Sequence, residues 1–220
     1  MSGDSNMHNR LVKLIIVMTI FFNFSELLAA EISSKISVEN ESQYSPYSVI
    51  KTSGEKLFAR ITENQEELKK FPNLMDKIVE EELLPIVDYQ YIAYKVLGKH
   101  LRKSTKLQRV NFVDAMKENI IRAYANILRN YRGQKIIYEL PKSIANKRIV
   151  SVPVKIIETS KPEVELLFKF RRQKKTGSWL IFDVLVEGIS MLGSKQSEVS
   201  NRITKFGLEQ VTKEIKYIRK

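Results

Sequence analysis

No cysteine occurs in the 220 residues. Disulfides are therefore excluded, and so is anchoring through a lipidated N-terminal cysteine; an oxidising compartment is permitted without being used. Histidine is nearly absent, with only His8 and His100. A zinc site needs several Cys, His or carboxylate ligands at suitable spacing, and no such cluster is found. A serine–histidine triad would have to use His100, yet no nucleophile-elbow pattern accompanies it. His100 follows Gly98-Lys99 where a helix is expected to end, a position at which an imidazole complements the helix dipole. Long apolar runs are missing as well. The run from Leu14 to Phe22 is about half the roughly 20 residues that a membrane-spanning helix needs.

That run has a particular frame. Arg10 and Lys13 precede it, and Leu28, Ala29 and Ala30 bring small or apolar residues before Glu31. Positive, apolar, then small is the order of a cleavable secretory signal. Residues 1–30 are thus expected to be a signal peptide and the mature chain to start near Glu31; the alternative is an uncleaved N-terminal anchor. Residues 31–220 remain, enough for one domain with a sizeable core. The formal net charge is +12. Arg10 and Lys13 balance Asp4 and Glu26, so the mature part keeps all of it. Export argues against nucleic acid as the partner and leaves an anionic membrane surface or an acidic protein. The basic residues are dispersed, and the run KFRRQKK (169–175) falls where a strand meets a turn, as a solvated hairpin tip would.

Helical signals fill the first half. Ser45-Pro46 places a capping serine before a proline at the first helical position. Ile50, Leu57, Ile61 and Leu68 follow at near-helical spacing. Asn73 opens a short helix expected to run through Leu84 and stop at Pro85. Asp88 caps a third, in which Ile92 and Val96 share a face and Gly98 ends the helix. Thr105 with Gln108 forms a capping box for a long helix reaching Tyr131, where Phe112, Met116, Ile120, Tyr124 and Ile127 make one apolar stripe. From Gln134 the period changes to two. QKIIYEL, KRIVSVPVKIIE, EVELLFKFRRQK and SWLIFDVLVEGIS read as four strands in an antiparallel meander. One face collects Val150, Val152, Val154 and Ile156, then Val164, Leu166, Phe168 and Phe170, then Leu180, Phe182, Val184 and Val186. Two helices close the chain, one carrying Leu192, Val199, Ile203 and Phe206, the other running from Leu208 to Ile218, with Gly207 between them. Helices 46–131, sheet 134–188 and helices 189–218 make an α+β fold.

Four stretches carry a family likeness: EELLPIVDYQYIAYKVLGKHLRKSTKLQR (81–109), YRGQ (131–134), TGSWLIFDVLVEGISMLGSKQSE (176–198) and KFGLEQVTKEI (205–215). In that order and spacing they resemble the MlaC-type periplasmic phospholipid-binding proteins, also called the toluene-tolerance auxiliary family, from about Pro46 to Ile215. The chain departs at Val199, where the family tends to place an aromatic. The resemblance implies a helical subdomain packed on a curved four-stranded antiparallel sheet of nuclear-transport-factor type. It implies a soluble periplasmic carrier that binds a phospholipid by its acyl chains; no cofactor or metal is expected, and nothing in the sequence demands more than a monomer. It further implies exchange with an outer-membrane lipoprotein–porin complex and an inner-membrane ABC transporter complex, which keeps the outer membrane asymmetric. The expected cavity wall is Ile92, Val96, Phe112, Met116, Ile120 and Tyr124 from helices, facing Val152, Val154, Phe168, Phe170, Phe182 and Val184 from strands.

Two other classes compete. Sheets of this type also host isomerases and dehydratases, and Asp183 and Glu187, four apart on the last strand, could act as an acid–base pair if their surroundings split their pKa values. The plainer reading has both carboxylates bonded to backbone or basic groups at the rim, with Glu187 beside the Gly188 bend. Tyr124, Tyr131 and Trp179 likewise read as packing residues with a polar tip. A structural adaptor with a solid core would share every pattern above.

Overall fold

A computed structural model describes residues 44–159 and 161–217. The proposed signal and cleavage point lie outside those residues. Helix α1 spans Pro46–Glu63, α2 Gln65–Lys70, α3 Leu74–Glu82 and α4 Tyr89–Leu97. The long α5 (Lys106–Leu128) precedes strands β1 (Lys135–Tyr138), β2 (Ile149–Ile157), β3 (Val164–Arg172), β4 (Trp179–Val186) and β5 (Ile189–Ser190). Helices α6 (Met191–Phe206) and α7 (Leu208–Tyr217) follow. Short 3-10 turns at Leu84–Ile86 and Gly98–Lys103 join α3 to α4 and α4 to α5. Among the described residues no helix is long and apolar enough to cross a membrane.

The caps form as the sequence dictates. Ser45 Oγ accepts from Ser48 N at 3.2 Å, and Asp88 Oδ1 accepts from Tyr91 N at 3.1 Å. At α5 the box closes in both directions: Gln108 N donates to Thr105 Oγ1 (3.2 Å) and Thr105 N to Gln108 Oε1 (2.9 Å). Each satisfies amides that a helix start leaves without partners.

Several boundaries differ from expectation. The first helix breaks at Asn64, whose Nδ2 donates to Arg60 O at 2.8 Å. That side chain–backbone bond competes with continuation of the helix, so Leu68 falls on α2. Pro85 does not simply stop α3; it lies within the 3-10 turn Leu84–Ile86. Helix α5 ends at Leu128, three residues short of Tyr131.

The sheet is an antiparallel meander in the order β1-β2-β3-β4-β5. The fifth strand, only two residues long, pairs with the end of β4 through Leu185↔Ser190 and Val186↔Ile189. The other half of that β4 edge is met by Val87, in a parallel bridge to Ile181, with Asp88 N donating to Ile181 O at 2.8 Å. Between them the β3–β4 register shifts: Lys169 pairs with Asp183, yet Phe170 pairs with Ile181. Phe182 is the extra residue of a β-bulge. The shift corrects the expected face of β4. Trp179 and Ile181 enter the core, Leu180 pairs with Arg171 on the other side, and Phe182 sits edge-on to the Tyr91 ring at 5.7 Å. Arg171 stacks on Tyr91 and pairs with the Asp88 carboxylate.

Two apolar clusters result. One joins the inner sheet face to α1, α3 and the second half of α5 through Ile121 and Ala125. The other lies among α4, the first half of α5, α6 and α7, and contains Val96, Phe112, Met116, Val199 and Val211. Val199, where the family tends to place an aromatic, is fully buried there.

Candidate functional site

The strand register stacks the inner face of the sheet into four rows. Val150, Phe170 and Ile181 form the first, and Val152, Phe168 and Val184 the second. The third is Tyr138, Val154, Leu166 and Val186, and the fourth Ile136, Ile156 and Val164. Burial falls steadily along this series. The first row is at most 6% exposed, whereas in the third Leu166, Val186 and Tyr138 are only half-buried and in the fourth Val164 is 37% exposed. Across from the open rows stand Phe58 of α1 and Tyr131, their rings 4.6 Å apart and each half-buried. Large apolar side chains thus line both walls, keeping accessible surface where a packed core would have removed it. The apolar face of the sheet is closely covered at the Val150 row and less covered toward the Val164 row.

Two phenols pack against this sheet cluster. Tyr124 on α5 packs against the sheet cluster but keeps some accessible surface, and among the described residues its hydroxyl has no hydrogen-bond partner. Burial, with the Asp183 carboxylate adding, pushes its pKa up to about 12. Tyr138 on β1 is also raised to about 12, by burial first and then by Glu55 and Tyr131. A methyl group on Gly54 would lie 2.1 Å from the Tyr138 hydroxyl oxygen. That explains a glycine inside α1, where it costs about 1 kcal/mol relative to alanine: it lets α1 approach β1 at Tyr138.

A phenol whose folded pKa exceeds its unfolded value of about 10 holds its proton longer when folded. It stabilises the fold below pH 10, and the contribution is lost as pH rises from 10 toward 12. Lipid-free protein should therefore lose stability across that window, and Tyr124→Phe should recover on the order of 2 kcal/mol of the loss. Denaturant unfolding at stepped alkaline pH checks this; identical slopes for parent and variant would contradict it.

The structure divides the expected cavity wall. Ile120, Tyr124, Val152, Val154, Phe168, Phe170 and Val184 gather in the sheet cluster, and Ile92 borders both clusters. Val96, Phe112 and Met116 do not face the sheet: they are at most 2% exposed inside the helical cluster. Phe182 belongs to neither cluster, because the bulge turns it toward Tyr91. Ile127, expected on the stripe, is 66% exposed. Of the residues of the open rows, Leu166 and Val186 were expected on the apolar face and Tyr131 as a packing residue, but none of these, nor Ile136, Tyr138 or Phe58, was expected on the cavity wall. Gly54 was the available signal, since a glycine inside a helix often marks a close approach.

The carboxylates take structural roles. Asp183 is buried on the outer face and accepts from Ser190 Oγ (2.8 Å) and Leu192 N (3.0 Å) at the start of α6. Glu187 Oε1 accepts from Glu165 N at 3.3 Å, beside Gly188 in a turn where both residues have positive φ. The two carboxylates are engaged separately, as the plainer reading expects. His100 Nε2 meets Ser200 Oγ at 3.3 Å, next to a polar depression of about 410 Å³ lined by Gly98, Lys99, Gln196, Ser197, Ser200 and Asn201. Among the described residues no three His, Asp or Glu side chains converge as metal ligands would.

Comparison with known proteins bears on this arrangement. The MlaC protein family model matches residues 51–217. The intermembrane phospholipid transport system binding protein MlaC of Haemophilus influenzae is 36% identical over 149 residues, covering 67% of this chain and 70% of that protein. The phospholipid-binding protein of Ralstonia solanacearum, solved in complex with a phospholipid, superposes with a TM-score of 0.66 at 19% identity, over 76% of this chain and 97% of that one. At that identity the structural likeness speaks for the fold, an α+β arrangement of helices on an open antiparallel sheet. The sequence match runs from within α1 to the end of α7, and on that ground the chain belongs to the MlaC family.

Proposed function

We propose that this protein is a soluble carrier that takes the acyl chains of a phospholipid into the cleft between the open rows of the sheet and α1, leaving the headgroup in water. The observation that carries the reading is the fall in burial from the Val150 row to the Val164 row on a face that stays apolar throughout. Each methylene withdrawn from water is worth about 0.8 kcal/mol, so two chains of roughly 30 methylenes resist leaving a bilayer by a couple of dozen kcal/mol. A carrier offsets that cost with apolar wall and needs no reacting group. Asp183 and Glu187, each held by neighbouring backbone and hydroxyl donors, are architecture in this reading, and the protein is not an enzyme. The signal-like order of residues 1–30 supports a periplasmic location for the carrier. There it exchanges phospholipid with an outer-membrane lipoprotein–porin complex and an inner-membrane ABC transporter complex, and so maintains outer-membrane asymmetry.

Native mass spectrometry of gently purified mature protein tests the reading. The expected spectrum contains a species heavier than the chain by one phospholipid. Protein that arrives empty from its host and takes up no lipid on incubation with vesicles would overturn it.

A further inference from the structure

At one end of the helical layer three segments meet: the 3-10 turn Gly98–Lys103, the first turn of α5, and the α6–α7 turn at Gly207. Gln108 Nε2 donates to Glu209 Oε1 at 3.3 Å, which brings the α6–α7 turn alongside the start of α5. Ser104 fixes the approach, its hydroxyl donating to Leu101 O (2.8 Å) and accepting from Arg109 Nε (3.1 Å). From this end Leu107 and Phe206 project into solvent, 69% and 56% exposed, and Val110 follows one turn along α5 at 49%. Around them lie Lys103, Lys106 and Lys205, all exposed. None of the three has a carboxylate partner among the described residues, whereas lysines such as Lys51, Lys117 and Lys155 do. The acid at this turn, Glu209, is held by Gln108.

Phe206 is one of the apolar residues, with Leu192, Val199 and Ile203, that the sequence puts on the last long helix. It is the last residue of α6, which ends at Gly207 (φ 80°), and the Arg202 guanidinium lies 5.6 Å from its ring centroid. Exposed large apolar side chains interleaved with unpaired cations are what a peripheral protein offers to an anionic bilayer. The apolar tips enter between headgroups while ammonium groups on flexible stems stay at the phosphates. A protein partner would call for a contiguous apolar patch with a polar rim; here the apolar tips come from two helices, and Lys106 and Lys205 are the chain neighbours of Leu107 and Phe206.

We infer that the face formed by Leu107, Val110 and Phe206 with Lys103, Lys106 and Lys205 docks this protein on an anionic phospholipid surface. The inference does not depend on what the sheet cleft holds. Each Lys or Arg near an anionic membrane contributes about a fivefold gain in binding. The mature protein is tested by co-sedimentation with protein-free vesicles of phosphatidylethanolamine and phosphatidylglycerol, and with vesicles in which phosphatidylcholine replaces the phosphatidylglycerol. The parent should prefer the anionic vesicles, and the preference should weaken as salt is raised. Lys103→Gln with Lys106→Gln should reduce binding about 25-fold, and Leu107→Ser with Phe206→Ser at least about tenfold. All four side chains lie on the surface, so unfolding temperature and co-purified phospholipid should match the parent, which keeps a failure of docking distinct from a failure of lipid carriage. A parent that ignores anionic vesicles overturns the inference and assigns the face to a protein partner; variants that bind as the parent does overturn it too.

Discussion

Phe112→Ala is expected to lower the free energy of unfolding by about 3–5 kcal/mol and to leave the phospholipid bound per folded molecule unchanged. Phe112 is fully buried where α5 crosses α4, α6 and α7, among Ala93, Val96, Leu97, Val199 and Val211. These neighbours belong to rigid helices, so the void left by the ring cannot collapse, and both the lost transfer energy and the cavity penalise the fold. The proposed cleft begins about two turns farther along α5, where Ile120 and Tyr124 reach the sheet cluster. Denaturant unfolding gives the first quantity, and phosphorus content per mole of gel-filtered protein gives the second. A stable variant that has lost its lipid would place Phe112 on the cleft wall after all and extend the cleft into the helical layer.

The ambiguity over Phe112 shows what a single sequence can and cannot carry. Local signals were legible because each is decided within a few residues: the Ser45, Asp88 and Thr105–Gln108 caps, the turn at Gly207 and the alternation of β2. The stripe Phe112, Met116, Ile120, Tyr124 was legible as apolar but not as divided. A helix of 23 residues spans more than one layer, and periodicity reports that a face is covered without saying by what. The bulge at Phe182 was hidden for a related reason. Strict alternation fits SWLIFDVL equally well in either phase, and at the change of phase Ile181 bridges to Val87, a partner far away in sequence, while Asp183 accepts from Ser190 and Leu192 beyond the end of the strand. The plan of the cleft therefore followed from the strands, whereas its open end emerged only when register placed Tyr138, Val154, Leu166 and Val186 in one row.

That row yields the sharpest contrast between a cleft and a core, from two tryptophan substitutions on the same face. Val152 is fully buried in the second row, with Phe168 and Val184 beside it on the sheet. An indole there has nowhere to go, so Val152→Trp should overpack and destabilise by about 1–3 kcal/mol or more. Leu166 lies one row farther on, half-buried between Val154 and Val186. Leu166→Trp should unfold within about 1 kcal/mol of the parent once lipid is removed, because the added ring enters space that protein atoms leave open. The same ring occupies volume that acyl chains would take, so phospholipid recovered per mole should fall by at least about half. Thermal unfolding of delipidated protein and phosphorus analysis of protein as purified measure both quantities for both variants. If Leu166→Trp were as destabilising as Val152→Trp, the open rows would be core and the carrier reading would lose its main support. A stable Leu166→Trp protein depleted of lipid, beside a destabilised Val152→Trp protein, would locate the acyl chains at the open end of the sheet.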